Sequence, residues 1–92
     1  MSEHTTIAGI DCRDLSAEER TKLEGVGEAI AGRFAAAGHA VHGCQPQGEG
    51  SYRLLLFIGA DGRGVGAIPA AKFLTVPDER AAGAVDSWVV IR

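Results

Sequence analysis

The sequence predicts an α+β fold: a four- to five-stranded, mostly antiparallel sheet with one long helix packed on one face. Three observations predict it. Residues 16–38 carry helical periodicity between recognisable caps. Several shorter segments alternate or run apolar over strand lengths, and an Asp-Gly turn joins two of them. Finally, 92 residues form one domain, taken as 1–92, able to bury only a modest core.

The helix is the element the pattern specifies best. Ser16 stands at the N-cap with Glu19 three residues later, the spacing of a capping box in which each side chain satisfies an orphan backbone donor. Glu18 and Glu19 also put negative charge at the positive end of the helix dipole. Gly38 follows three alanines and suits a left-handed C′ position. Between the caps, Leu23, Val26, Ile30, Phe34 and Ala37 fall in one arc and form the expected core stripe.

A second stripe of small residues, Gly25, Ala29, Gly32 and Ala36, lies about a third of a turn away. Each interior glycine costs about 1 kcal/mol of helix stability relative to alanine. Close approach by another backbone, from the sheet or from a partner, would offset that loss; a well-capped helix also tolerates it.

The strands follow in order. Residues 5–11 read as one strand, with Thr6, Ala8, Ile10 and Cys12 on one face. Residues 39–44 read as a second, so that strand, helix and strand form a βαβ-like unit with the two strands parallel or nearly neighbouring. Residues 45–50 are a loop by composition. Residues 51–59 give the strongest strand, with Tyr52, Leu54, Leu56 and Ile58 on one face and Leu55 and Phe57 on the other. Asp61-Gly62 signals a hairpin whose return strand covers 65–68. Pro69 opens a short helical turn ending near Leu74; a second capped turn is expected over 75–82 and a last strand over 86–92.

This inventory leaves a sheet apolar on both faces with one long helix to cover it. The uncovered face is expected to carry Leu55, Phe57 and one side of the strand from Trp88 to Ile91. A bare face of that kind exceeds the few hundred Å² usual for a monomer's apolar patch. Either residues 69–85 fold over it, or a partner does.

Composition excludes several classes of function. Net charge is −3, and no two of the nine basic residues are adjacent, which argues against nucleic-acid and anionic-membrane surfaces. The N-terminus has no signal-peptide pattern and no apolar run spans a bilayer, so the expected compartment is the cytoplasm, with Cys12 and Cys44 as thiols.

Cys12, His39, His42 and Cys44 are the candidate metal ligands or reactive groups. His42 and Cys44 are expected to point the same way on their strand, yet the set lacks C-x-x-C or H-x-x-x-H spacing. Cys12 lies near Arg13 and the helix start, surroundings expected to lower its pKa. Gly59, Gly62, Gly64 and Gly66 lack the following G-K-[ST] of a phosphate loop and read as a hairpin turn.

Residues 25–41 (GVGEAIAGRFAAAGHAV) are also similar to the first helix and following strand of short-chain dehydrogenases. That resemblance implies pyrophosphate on the helix N-terminus. It stops where the chemistry lives: a charged helical segment replaces the family's strand and first glycine, and no Tyr-x-x-x-Lys pair follows. No cofactor is expected.

The sequence therefore favours a non-enzymatic protein-binding module, such as a small inhibitor, an immunity or adaptor protein, or an assembly subunit. Its partner is another protein, or itself as a homodimer. The expected contact residues are Arg63 at the hairpin tip, Phe73, Trp88 and the stripe Gly25, Ala29, Gly32 and Ala36. The alternative is a small metal- or thiol-dependent protein using Cys12, His39, His42 and Cys44.

Overall fold

The structure, a computed structural model, describes residues 6–77. The elements are β1 (Thr6–Ile7), β2 (Ile10–Asp11), α1 (Ala17–Ala36), β3 (Val41–Gln47), β4 (Leu54–Gly59), β5 (Gly64–Pro69) and α2 (Ala70–Thr75), with a 3₁₀ turn at Gly50–Tyr52. The five strands form one sheet in the order β1-β2-β3-β4-β5. All neighbours are antiparallel except β2 and β3, which run parallel across α1 with Asp11 opposite Gly43. The fold is thus the α+β arrangement that the sequence predicts, including the parallel pair on either side of the long helix.

Helix α1 begins and ends as its caps dictate. The Ser16 hydroxyl accepts from the Glu19 amide at 3.2 Å, and the Glu19 carboxylate accepts from the Ser16 amide at 2.9 Å. At the other end Gly38 adopts φ 91°. The His39 amide donates to the Phe34 carbonyl and the Gly38 amide to the Ala35 carbonyl, which is a Schellman closure. The buried stripe runs Glu19, Leu23, Val26, Ile30 and Phe34, with Gly27 beside it; Ala37 is exposed as the C-cap rather than part of the core.

Residues 5–11 do not form one strand. Ala8 and Gly9 both take left-handed backbone, φ 53° and 82°, and fold β1 back onto β2 as a two-residue hairpin. Positive φ at both central positions is the type I′ pattern, whose twist matches that of the flanking strands. The fold-back brings Ile7 onto α1, where a Cβ at Gly27 would stand 3.1 Å from Ile7 Cγ2. Gly27 is therefore where a strand closes on the helix. The small stripe Gly25, Ala29, Gly32 and Ala36 faces outward and is exposed, with nothing within 4 Å of a Cβ at Gly32.

The core lies on the opposite side of β4 from the one expected. Leu55 and Phe57 are fully buried under the helices, and Phe57 meets Phe34 of α1 at a ring separation of 5.4 Å and a 42° tilt. An aromatic pair of this kind contributes about 0.5–1.5 kcal/mol beyond its buried area. Phe73 of α2 joins the same cluster, so both described helices cover the Leu55/Phe57 face. Alternation on β4 then puts Leu54, Leu56 and Ile58 on the other face. The expectation failed because both rows are apolar, and nothing local tells which one α1 meets.

Strands β3 and β5 each bulge against the end of β4. The register slips between Val41 and Gly43 on one side and between Phe57 and Ile58 on the other. The first slip sends both Val41 and Cys44 into the core and leaves His42 exposed. His42 and Cys44 therefore do not share a face, as strict alternation would have required. The turn before β4 depends on Gly48, which has φ 83° and where a Cβ would stand 2.5 Å from the Tyr52 carbonyl oxygen. The turn and strand expected over 75–82 and 86–92 extend beyond the described residues.

Candidate functional site

The side of the sheet away from the helices has a definite composition. Its central row is Leu54, Leu56 and Ile58 of β4. Register places Gln47, Gln45 and Gly43 of β3 beside them, and Pro69, Ala67 and Gly64 of β5 on the other flank. None of these nine residues is charged; Asp11 of β2 continues the Ile58–Gly43 row at the border of the face. Leu54 is 37% exposed and Leu56 and Ile58 are half-buried, while Tyr52, just before β4, is 85% exposed. No described helix lies over this face. An aliphatic ridge between small and amide side chains resembles the charge-depleted centre of a protein interface.

The expected contact residues scatter. Arg63 stands at the β4–β5 hairpin tip with its side chain 86% exposed, 3.9 Å from Asp61. Phe73 is fully buried and offers no surface. Trp88 lies outside the described residues. The exposed stripe Gly25, Ala29, Gly32 and Ala36 is on the outward side of α1 and is not brought together with Arg63 or Leu54 into one patch.

The second candidate set divides by burial. Cys12 and Cys44 are buried, His39 is half-buried and His42 is exposed. Among the described residues no three His, Cys, Asp or Glu side chains are grouped to hold a metal ion. Burial pushes the Cys44 thiol up to about 12, with the charge of Glu19 adding to it. Burial also raises the Cys12 thiol, against an opposing pull from Arg20. Elevated values are the reverse of what an activated nucleophile needs.

Beside Cys44 lies a feature that residue spacing alone did not show. Glu19 is fully buried, caps α1, and receives the Arg53 guanidinium at 2.5 and 3.1 Å. This pair ties the start of α1 to the entry of β4. Glu19 does sit four residues before Leu23 on the core stripe, which is a signal for its burial. Its partner is 34 positions away and left no sequence trace.

A cleft of about 190 Å³ opens between the end of β2 and the middle of β3, lined by Asp11, Arg13, Asp14 and His42 together with Gly43, Gln45 and Ile58, so it borders the face built on β4. Asp11 accepts from the Arg13 amide at 3.1 Å and pairs with its guanidinium at 3.0 Å, so these two charges neutralise each other locally. Among the described residues no helix is long and apolar enough to cross a membrane. Comparison of the chain with protein-family models, with curated proteins and with solved structures found no match in any of the three.

Proposed function

We propose that this domain is a protein-binding module without catalytic activity, and that it acts through the sheet face built on Leu54, Leu56 and Ile58. The observation that carries the reading is the absence of charge across three adjacent strands on a face with an aliphatic centre. Burying the centre of such a face against a partner removes apolar area from water at about 25 cal/mol per Å², with the nearest charges, the Asp11–Arg13 pair, at its border. Tyr52, largely exposed in the 3₁₀ turn two residues before β4, offers an aromatic side chain of the kind enriched at contact centres. The partner is another protein, or a second copy of the chain. The raised thiols speak against the metal- or thiol-dependent alternative.

The test is paired affinity capture from an extract of the source organism, using the wild type and Leu54→Lys/Ile58→Lys, with folding verified by circular dichroism. Sedimentation of both proteins runs alongside. A species, or a self-associated form, that the wild type retains and the folded variant loses supports the reading. Equal retention by both proteins, or a strictly monomeric wild type with no bound protein, contradicts it.

A further inference from the structure

The thiols that the proposed binding function leaves unused stand next to one another. Asp11 of β2 is opposite Gly43 of β3 in parallel register, and Cys12 and Cys44 are the residues that follow them in the chain. Both side chains enter the same core cluster, at 0% and 3% exposure. The charge of an ionised Cys12 is also among the lesser causes that raise the Cys44 thiol. Neighbouring strands run about 4.8 Å apart, inside the Cα separation a disulfide accepts. In-register Cβ atoms must close by about an ångström to reach bonding distance. Cys12 lies one residue past the end of β2, outside the ladder, and can supply that shift.

We propose that Cys12 and Cys44 are a redox modification site, forming a reversible cross-strand disulfide by exchange with a small-molecule disulfide of the glutathione type. A thiolate of one cysteine attacks the small disulfide and expels one small thiol, leaving a mixed disulfide. The second cysteine, having lost its proton to solvent, attacks the protein sulfur of that bond and expels the other small thiol. In sum, two protein thiols are oxidised to one disulfide, and one small disulfide is reduced to two thiols. Both positions exclude solvent, so exchange occurs during folding or through local opening of the β1–β2 hairpin, not on the closed domain. The product joins β2 to β3, whose described pairing is the single register pair Asp11–Gly43.

The wild-type chain is refolded at a series of reduced-to-oxidised glutathione ratios, and the products are read by intact mass, peptide mapping and thermal melting. The expected product has lost two hydrogens, maps to a Cys12–Cys44 peptide pair, and melts more than about 10 °C above the dithiol form until a reductant is added. Cys12→Ser and Cys44→Ser show no such shift. Glutathione adducts on either cysteine that persist as the end product, disulfide-linked dimers, or an unchanged dithiol mass at every ratio would each overturn the proposal. A linked chain that melts below the reduced one would overturn it as well.

Discussion

The Arg53 guanidinium reaches both carboxylate oxygens of Glu19, at 2.5 and 3.1 Å, while Glu19 is wholly buried and caps α1. One side chain thereby serves the helix start, the ion pair and the core boundary. Removing Arg53 leaves a buried carboxylate without its counter-charge, a change that costs about 3–5 kcal/mol in an enclosed site. The Arg53 side chain is 33% exposed, so water reaches the site and softens the loss. Arg53→Met is expected to destabilise the domain by about 2–3 kcal/mol in urea unfolding. In a cycle with Glu19→Gln, the double variant should lose less than the sum of the single variants.

Alkaline stability should depend on Cys44. Its thiol sits near 9.0 in the unfolded chain and is pushed up to about 12 in the fold. The folded state therefore holds the proton more tightly. The associated stability is intact below pH 9 and is lost as pH rises from about 9 towards 12, by up to about 4 kcal/mol. Urea unfolding of wild type and Cys44→Ala at pH 8 and at pH 10.5 checks this. The wild type should show the steeper fall, and parallel falls would contradict it.

Two of the three glycines in α1, Gly27 and Gly32, should respond differently to alanine. Gly32 has nothing within 4 Å of a Cβ, so Gly32→Ala is expected to gain the full helix-propensity difference, about 0.8–1 kcal/mol. At Gly27 the new methyl meets Ile7 Cγ2 at 3.1 Å, and Gly27→Ala should gain less than half as much or lose stability. Chemical denaturation of the two variants reads the difference directly.

The Ala8–Gly9 hairpin holds an L-residue in left-handed backbone at φ 53°. Asparagine tolerates that region and leads the type I′ preference. Ala8→Asn is expected to stabilise by about 0.5–1 kcal/mol, raising Tm by about 2–8 °C. A lowered Tm would mean that the turn is not of this type.

What the sequence made legible follows from how local each cause is. The capping box at Ser16 and Glu19, the Gly38 closure and the Asp61-Gly62 turn are each written within a few residues, and each appears in the fold. The parallel pair followed from one helix between two strands. Three things resisted reading because their causes lie far apart in the chain or contradict a local habit. The choice of Leu55 and Phe57 over Leu54, Leu56 and Ile58 as the buried row is made by Phe34 and Phe73 on separate helices. The bulge at His42 separates it from Cys44, and nothing in residues 39–44 announces a slipped register. Ala8 takes a turn conformation that alanine ordinarily avoids, so the first hairpin looked like one strand.

The central claim is that the uncharged face of β3, β4 and β5 is where this domain meets its partner. The most direct measurement places a photoreactive amino acid at position 54 in one protein and at position 32, on the outward side of α1, in another. Both are irradiated in extract of the source organism, and the products are resolved by mass. The account predicts a discrete cross-linked protein, or a cross-linked second copy of the chain, from position 54 and none from position 32. Cross-linking from position 32 alone, or from neither position, would contradict it.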